Sequence, residues 1–293
     1  MVFKAGFVNI IGKPNVGKST LMNALTGEKL SIITSKAQTT RHRIIGIVNG
    51  KDFQIVLSDT PGIIKPVYKL QRSMLRVVKT ALTDADILLY VTDMLLKKQP
   101  EQKFMEKLAK GSIPVIALIN KVDLADQEDV VKKMDQLKVD LPNADVIPVS
   151  ALHGFNIEKL FGNILDLLPE GDAYYPPDIL TDRPERFFVS EIIREKIFMI
   201  YKQEVPYCCN VEIEDFKEQD NLIKIRTVIF VAKESQKGIV IGKAGSKLKR
   251  LGSDSRKEIE IFLGKKVFLE LFVKVSKDWR NKDHLLKKYG YTN

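Results

Sequence analysis

The sequence predicts an α/β domain with a mostly parallel sheet and one antiparallel edge strand, followed by a smaller α+β domain. Three observations support this fold class. The chain has 293 residues, whereas one domain typically has ~100–200. Short apolar runs alternate with amphipathic stretches in the first half, which is typical of parallel strands covered by helices. A proline-rich segment then separates this half from a second series of elements.

The strands of the first domain are predicted from short apolar runs. These runs are Phe7–Ile11, Ile55–Leu57, Ile87–Val91, Val115–Ile119 and Asp145–Val149. Helical patterns accompany them at Gln99–Lys110, Glu128–Val139 and Ile157–Leu168. Asn49-Gly50 joins residues 43–48 to residues 52–57, and this dipeptide favours a β-hairpin turn. The hairpin would supply the antiparallel edge strand.

Four prolines mark the predicted domain boundary, at Pro169, Pro176, Pro177 and Pro184. We expect residues 1–170 to form the first domain, residues 171–184 the linker, and residues 185–293 the second domain with a C-terminal tail. The elements expected in the second domain are a helix at Arg186–Lys202, strands at Asn210–Phe216 and Leu222–Val231, a glycine-containing turn, a helix from about Gly245 to Leu263, and a strand at Val267–Val275. The basic tail, Arg280–Lys288, is predicted to be a solvated helix rather than a second binding surface.

The composition, 44% hydrophobic and 29% charged residues, is that of an ordinary globular protein. The longest apolar runs are far shorter than the ~20 residues of a membrane-spanning helix. The N-terminus lacks the pattern of a signal peptide, so we expect a cytoplasmic protein. The two cysteines, Cys208 and Cys209, are adjacent, which disfavours a disulfide, and we expect them in a half-buried strand.

The basic charge is concentrated in the second half of the chain. The formal net charge is +10, and residues 181–293 carry 24 Lys and Arg against 17 Asp and Glu. Between Lys237 and Arg250 there are five basic residues and no acidic one. This distribution predicts a polyanionic partner, either a nucleic acid or an anionic membrane surface.

The strongest motif is the segment "GKPNVGKS", Gly12 to Ser19, which follows a predicted strand and opens a predicted helix. This Gly-x-x-x-x-Gly-Lys-Ser pattern is a phosphate-binding loop, whose backbone N–H groups point at phosphate. Lys18 would bridge the β- and γ-phosphates, and the Ser19 hydroxyl would bind Mg²⁺. The residues assigned to this part of the site are Gly12, Lys13, Pro14, Asn15, Val16, Gly17, Lys18, Ser19 and Thr20.

A second motif, "DTPG", follows the predicted strand Ile55–Leu57. An acid at the carboxyl end of a strand beside a phosphate loop can hold an Mg²⁺-bound water, which is the role expected of Asp59. The N–H of Gly62 is expected to contact the γ-phosphate. Asp59, Thr60, Pro61 and Gly62 are therefore assigned to the nucleotide site.

The base is predicted from "NKVD", Asn120 to Asp123. Guanine presents two neighbouring donors that one carboxylate accepts together, so Asp123 would select guanine over adenine. Asn120 would tie neighbouring loops together, and the stem of Lys121 would stack on the ring. Backbone N–H groups of "SAL" can donate to guanine O6, which adds Ser150, Ala151 and Leu152. The sequence therefore predicts a site for GTP and GDP.

The segment "KAQTTRHR", Lys36 to Arg43, lies where a mobile switch would be expected. A threonine here could bind Mg²⁺ through its hydroxyl and the γ-phosphate through its N–H. We prefer Thr40 to Thr39 for this role. Arg41 and His42 could be an arginine finger and a catalytic base, but each is interpreted as a solvated loop residue. The expected catalytic residues are then Lys18, Thr40, Asp59 and Gly62, with Mg²⁺ held by Ser19, Thr40 and, through water, Asp59.

A Gly-x-x-Gly loop, Gly242 to Gly245, is predicted between an apolar strand end and a basic helix. Such a loop lets an RNA backbone approach closely, and neighbouring lysines supply charge. Bases are expected to lie on an apolar surface formed by Ile239, Val240, Ile241 and Leu248. The residues assigned to RNA are Ile241, Gly242, Lys243, Ala244, Gly245, Lys247, Lys249 and Arg250.

Together these motifs resemble the Era family of bacterial GTPases over nearly the whole chain. The matching strings are "GKPNVGKS", "KAQTTRHR", "DTPG", "NKVD", "SAL", "LPEG", "YYPPD", "TDRPERF", "SEIIREK", "VIGKAGSKLK", "FLELFVKV" and "KYGY". The resemblance implies a P-loop GTPase domain joined to a KH domain of type II. It also implies binding near the 3′ end of 16S ribosomal RNA, a role in assembling and maturing the 30S subunit, and peripheral contact with the inner membrane. We expect a monomer that does not bind DNA.

Ile63 stands where Ras-like enzymes carry a water-orienting glutamine, so hydrolysis is expected to be slow. Resemblance to bacterial GTPases that lack this glutamine suggests that Asn15 helps to hold K⁺ beside the phosphates. The alternative is that Asn15 only hydrogen-bonds its own loop. Three functions remain open: a GTP-hydrolysing switch that binds RNA, an RNA-binding scaffold that holds the nucleotide structurally, and an ATPase that acts on RNA.

Overall fold

The computed structural model describes residues 2–96 and 102–292. It divides into two compact units, one formed by the chain up to Lys65 with Met74–Asp182, and one formed by Pro66–Ser73 with Arg183–Asn293. The predicted fold class is confirmed in both units, as described below.

The first unit is built on a six-stranded sheet with the order β2-β3-β1-β4-β5-β6. The strands are β1 (Lys4–Gly12), β2 (Ile44–Asn49), β3 (Phe53–Asp59), β4 (Ile87–Asp93), β5 (Val115–Asn120) and β6 (Asp145–Pro148). Only the β2–β3 pair is antiparallel, so the predicted hairpin lies at the sheet edge. The carboxyl ends of the parallel strands therefore meet at one edge, where α/β proteins bind ligands.

The helices of this half of the chain are α1 (Lys18–Thr26), α2 (Lys69–Ala81), α3 (Gln102–Lys110), α4 (Gln127–Asp140) and α5 (Ile157–Leu167). The first residues of α2, up to Ser73, fall in the second unit and the rest in the first. The sequence analysis did not identify α2, although its buried residues Leu70, Met74, Val78 and Ala81 recur at helical spacing. The first residues of the predicted helix Gln99–Lys110, residues 99–101, lie outside the described part of the chain.

The segment after α5 follows the free edge of β2. The Ile47 N–H donates to the carbonyl of Leu180 at 2.8 Å, and the Thr181 hydroxyl donates to the carbonyl of Ile45 at 2.7 Å. The side-chain oxygen of Gln54 accepts the N–H groups of Tyr174 and Tyr175. Most of the segment predicted as a linker therefore packs on the first unit, where it covers an otherwise unpaired strand edge.

The second unit contains a three-stranded sheet with the order β7-β8-β9. Its elements are α6 (Glu185–Ile200), α7 (Val205–Cys208), β7 (Asn210–Glu218), β8 (Leu222–Val231), α8 (Glu234–Ile241), α9 (Ser246–Leu263), β9 (Lys266–Val275) and α10 (Asp283–Lys288). The β7–β8 pair is antiparallel and the β8–β9 pair is parallel. Helices α8 and α9, joined by the Gly-x-x-Gly loop, connect the two parallel strands.

Two expectations for the second unit were wrong. Residues 234–241 form helix α8 rather than part of a turn, so a helix and not a strand precedes the Gly-x-x-Gly loop. Cys208 ends helix α7 and Cys209 precedes β7, so neither lies in a strand; both are fully buried, and both thiols donate to the carbonyl of Val205. The predicted tail helix is α10, whose charged residues are exposed; Leu286 is buried, and the preceding Trp279 donates its Nε1–H to the carbonyl of Cys208.

Within the described residues, no helix combines the length and the apolar character that a membrane-spanning segment requires.

Candidate nucleotide and RNA sites

The phosphate loop connects the end of β1 to the start of α1. Gly17 precedes α1 in the left-handed conformation, with φ +92°. A Cβ atom at Gly17 would lie 2.1 Å from Nδ2 of Asn120, so a side chain here would displace that residue. The Asn120 amide instead donates to the carbonyl of Val16 at 2.8 Å. Glycine at this position therefore lets the loop pack directly against the end of β5.

Lys18 is buried at the base of the loop. Its ammonium donates to the carbonyl of Lys13 at 2.9 Å and, at 3.3 Å, to that of Gly12. Burial lowers the pKa of Lys18 to about 8, and the nearby carboxylate of Asp59 partly offsets this effect. The ammonium is thus held inside the loop that would surround the phosphates, and an anion there would favour its charged form.

Ser19, Thr40 and Asp59 form one oxygen cluster. The Ser19 hydroxyl donates to Oδ2 of Asp59 at 2.6 Å, and the Thr40 hydroxyl donates to the same oxygen at 3.2 Å. The two hydroxyl oxygens are 3.0 Å apart. Burial raises the pKa of Asp59, and Lys18 opposes this shift. The sequence predicted these three residues as the Mg²⁺ site, and they come together from α1, the segment before β2, and the end of β3.

The two threonines of "KAQTTRHR" have different contacts. The Thr39 hydroxyl donates to the carbonyl of Lys36 at 2.7 Å and lies 2.5 Å from the hydroxyl of Thr34, so it is directed into its own loop. The Thr40 hydroxyl is directed at Asp59. This geometry favours Thr40 for the role at the metal. The expectation of a solvated Arg41 was wrong, because its side chain is buried, with 2% exposure.

The "NKVD" and "SAL" motifs meet at the ends of β5 and β6. The backbone N–H of Ala151 donates to Oδ1 of Asn120 at 3.0 Å, so Asn120 joins the "SAL" segment to the phosphate loop. The Ser150 hydroxyl donates to Oδ1 of Asp123 at 2.6 Å. Nε2 of His153 lies 3.7 Å from Oδ2 of the same carboxylate. These contacts orient the carboxylate that is predicted to read guanine.

Asp93, at the end of β4, is a residue that the sequence analysis missed. Its carboxylate forms an ion pair with Lys121, whose Nζ also donates to the carbonyl of Asn15 at 2.6 Å. The ammonium of Lys133 in α4 bonds the Asp93 carbonyl, and burial lowers the pKa of Lys133. Asp93 could have been found from the sequence, because it follows a predicted parallel strand and an acid in that position lies at the ligand-binding edge of the sheet.

A cleft of about 690 Å³ connects these groups. The predicted residues that line it are Pro14, Asn15, Gly17, Lys18, Ser19, Thr20, Thr40, Gly62, Asn120, Lys121, Asp123, Ser150 and Leu152. The buried residues Val16, Asp59, Thr60 and Ala151 support its walls, and the Thr60 hydroxyl donates to the carbonyl of Ile10. Gly62 lies close to the phosphate loop, since a Cβ there would be 2.7 Å from the nitrogen of Pro14. The cleft is of the size that small-molecule sites usually have.

Asn15 contacts a different loop from its own. Its side-chain amide donates to the carbonyl of Ser35 at 2.9 Å, in the segment between α1 and β2. The side chain thus joins the phosphate loop to the segment that leads to Thr40. This contact differs from the alternative in which Asn15 only hydrogen-bonds its own loop.

The Gly-x-x-Gly loop presents a basic edge. Lys243, Lys247, Lys249 and Arg250 are exposed. Gly242 has φ +74°, and a Cβ there would lie 2.8 Å from Cγ of Lys247, so a side chain would press on the start of α9. Val240 was expected in the apolar surface for bases, but it is fully buried and its carbonyl accepts the Tyr201 hydroxyl at 2.7 Å. Ile239, 42% exposed, remains available for that surface.

Comparisons with known proteins agree with this geometry. A family model described as "50S ribosome-binding GTPase" matches residues 7–121, and one described as "KH domain" matches residues 204–280. The chain is similar to GTPase Era of Staphylococcus epidermidis, with 43% identity over 290 residues that cover 98% of this chain and 97% of the relative. It is similar to GTPase Era of Geotalea daltonii, with 47% identity over 291 residues that cover 99% and 98%.

Two solved structures resemble the whole chain. One is Era in complex with MgGDPNP and nucleotides 1506–1542 of 16S ribosomal RNA, and the other is a variant of Aquifex aeolicus Era bound to GDP·AlF4⁻. Each has a TM-score of 0.94, 40% sequence identity, and coverage of 99% of this chain and 100% of the solved one.

Proposed function

Because this chain belongs to the Era family of GTPases, we propose that it is a GTP-hydrolysing switch that binds 16S rRNA near its 3′ end and assists assembly and maturation of the 30S subunit. The observation that carries the proposal is the single cleft that joins Lys18, the Ser19–Thr40–Asp59 cluster and Asp123. This one cleft therefore offers a cation for phosphate, oxygen ligands for a metal, and a carboxylate for guanine.

Mg²⁺ fits the Ser19–Thr40–Asp59 cluster. Oδ1 of Asp59 is buried and, within the described part of the chain, has no hydrogen-bond partner. A buried carboxylate oxygen is costly to leave unpaired, and oxygen ligands are those that Mg²⁺ prefers. When bound, Mg²⁺ would neutralise charge that develops on the phosphates. Ser19 and Thr40 would bind it directly, and Asp59 would bind it through water.

The chain's own residues would position GTP for attack by water. Lys18 would bind the β- and γ-phosphate oxygens, and the N–H of Gly62 would donate to the γ-phosphate. Asp123 would accept the two donors of guanine and so hold the base at the far end of the cleft. Ile63 offers no group that orients water, so we expect slow turnover by the chain alone.

RNA would bind at the Gly-x-x-Gly loop of the second unit. The exposed lysines of this loop would contact phosphates, and the N-terminus of α9 adds its partial positive charge. A family relative in complex with nucleotides 1506–1542 of 16S ribosomal RNA supports this partner. On the same family grounds we propose a cytoplasmic monomer that does not bind DNA and that contacts the inner membrane peripherally.

GTP turnover separates this function from the two alternatives. The full chain with Mg²⁺ should release phosphate from GTP slowly but repeatedly, and excess ATP should leave the rate unchanged. Binding of GTP without phosphate release would favour the structural scaffold, and equal competition by ATP would favour the ATPase. Lys18→Ala should abolish turnover because it removes the buried ammonium, whereas unchanged GDP affinity in this variant would remove the phosphate-loop assignment.

We also propose that Asn15 helps to hold K⁺ beside the phosphates, where a monovalent cation would supply the charge that an arginine finger supplies elsewhere. Its carbonyl already accepts an ammonium, that of Lys121, so this part of the loop has cation-binding capacity. Turnover should be faster in K⁺ than in Na⁺ at equal ionic strength, and Asn15→Ala should lose the difference. Equal rates in the two salts would contradict the proposal.

A further inference from the structure

Asn9 is a polar residue in the middle of an otherwise apolar strand. It lies in β1, its side chain is fully buried, and it pairs in register with Ser58 of β3. Its amide nitrogen donates to the carbonyl of Ala81 at 2.8 Å and to Oδ1 of Asp84 at 2.7 Å. Its amide oxygen accepts from Nη2 of Arg43 at 2.9 Å. A buried amide with all these contacts defines one specific arrangement of its neighbours.

Arg43 is fixed on three elements. Besides the contact to Asn9 in β1, its Nε donates to the hydroxyl of Ser58 in β3 at 2.6 Å. Nη1 forms an ion pair with Asp84 in the turn after α2. The Arg43 side chain is only 18% exposed. Since an arginine guanidinium presents its donors in a rigid plane, these contacts fix the guanidinium and restrict the backbone at residue 43.

The network therefore joins two segments that border the phosphate end of the cleft. One segment carries Thr40 and ends at Arg43, three residues later. The other begins at Asp59, directly after Ser58, and leads to Gly62. Because the Arg43 guanidinium bonds both Asn9 and Ser58, it ties the end of the first segment to the start of the second. Neither Asn9 nor Arg43 is among the residues that line the cleft, so the network acts on the nucleotide only through these segments.

We infer that Asn9 and Arg43 are positioning residues that hold these two segments in register and thereby set the preference of the site for GTP over GDP. The inference rests on the proposed function, since it takes Thr40 and Gly62 to be the groups that contact the γ-phosphate or its metal. GDP lacks that phosphate and does not use either group. If the contacts of Asn9 and Arg43 were lost, the Thr40 segment would have to be ordered when GTP binds. This entropic cost would weaken the binding of GTP but not that of GDP.

The test compares equilibrium affinities of the full chain for GDPNP and GDP, with Mg²⁺ present. Arg43→Ala and Asn9→Ala should each weaken GDPNP binding about tenfold, the loss expected for one buried hydrogen bond to a charged group. GDP binding should change by less than about twofold. The double variant should lose no more GDPNP affinity than the more damaging single variant, because the two substitutions disrupt the same network. Arg43→Lys, which keeps the charge but not the planar donors, should show an intermediate loss.

Asp84→Asn keeps the measurement decisive if a buried substitution impairs folding, because Asp84 is 40% exposed. Asp84→Asn should lower GDPNP affinity, by less than Arg43→Ala or Asn9→Ala does, and should leave GDP affinity unchanged. Lys132→Ala, which breaks an exposed ion pair on α4, is the matched control and should change neither affinity. Equal losses for GDPNP and GDP in the Arg43 and Asn9 variants would show a merely structural role and overturn the inference.

Thr40→Ala separates failure of this inference from failure of the proposed function. It should lower GDPNP affinity selectively. If it does so while the Arg43, Asn9 and Asp84 variants keep the wild-type preference, the positioning role is wrong and the assignment of Thr40 stands. If Thr40→Ala itself leaves the preference unchanged, the assignment of Thr40 is wrong.

Discussion

The Ser150 hydroxyl donates a 2.6 Å hydrogen bond to Oδ1 of Asp123, and this bond joins the segment after β6 to the segment after β5. The carboxylate is thereby oriented before any base binds. Because Asn120 also bonds the backbone of Ala151, the same two segments are tied together twice. Base selection in this chain therefore depends on a preorganised pair of loops.

Asp123→Asn should change which base is bound. The variant loses the acceptor for the 2-amino group of guanine but gains a donor for the 2-carbonyl group of xanthine. We expect GDP affinity to fall about 100-fold, as for the loss of a charge-assisted pair of hydrogen bonds, and XDP affinity to rise. Titration with fluorescent GDP and XDP measures both. Asp129→Asn, an exposed acid on α4, should change neither affinity, and no gain for XDP in Asp123→Asn would remove Asp123 as the base reader.

The pKa of Lys18 predicts how GDP binding depends on pH. In the free protein burial lowers this pKa to about 8, and a bound phosphate raises it again because it favours the ammonium. The contribution of Lys18 to affinity should therefore be constant below about pH 8 and fall as the pH rises above that value.

The pH profile of GDP binding in Lys18→Arg is the control for this prediction. The guanidinium stays charged in this range, so the variant should lack the decline even if it binds more weakly, and ionisation of guanine is common to both proteins. An identical decline in both proteins would contradict the role of Lys18.

Gly245→Asp should abolish RNA binding without damage to the fold. Gly245 has φ +76°, and among the described residues nothing beyond its chain neighbours lies within 4 Å of the position that a Cβ would take, so the carboxylate would extend into open space beside the basic edge. Gly264→Asp is a matched control at the other end of α9, with φ +65° and the same open surroundings. Both share the backbone strain of a non-glycine residue, but only Gly245→Asp places charge where the RNA backbone would pass.

The measurement is the affinity for a 16S rRNA 3′ fragment at several salt concentrations. Wild type and Gly264→Asp should bind alike and weaken steeply with salt, whereas Gly245→Asp should bind poorly at every concentration. The double variant Gly242→Asp with Gly245→Asp should do the same and keep its GTP affinity. Full RNA affinity in Gly245→Asp would move the RNA site away from this loop.

The motifs that carry chemistry were predictable from sequence because each has a fixed spacing. The phosphate loop, Asp59, Asn120 and Asp123 all follow apolar strands, and parallel strands bring such residues to one edge. The family was predicted from the same strings and is confirmed. What depends on contacts between distant segments was not predictable: the ion pair of Asp93 with Lys121, and the network of Asn9 with Arg43.

The errors had local causes. Helix α8 is short, and its glycine at position 238 and β-branched residues resemble a turn and a strand end. The buried Arg41 was interpreted as solvated because charge usually indicates exposure. That the segment predicted as a linker follows the edge of β2 was not visible either, because prolines suit both a linker and an extended segment along a sheet edge. Burial that depends on tertiary packing is not visible in such patterns.

The proposal that this chain is a switch implies that the bound nucleotide controls RNA binding. This implication is tested most directly by the affinity of the full chain for a 16S rRNA 3′ fragment with GDPNP and with GDP. Thr40 and Gly62 are expected to contact only GTP, so the two complexes should differ in conformation and hence in RNA affinity, by about tenfold or more. Thr40→Ala should reduce the difference. Equal RNA affinities in the two nucleotide complexes would contradict the account.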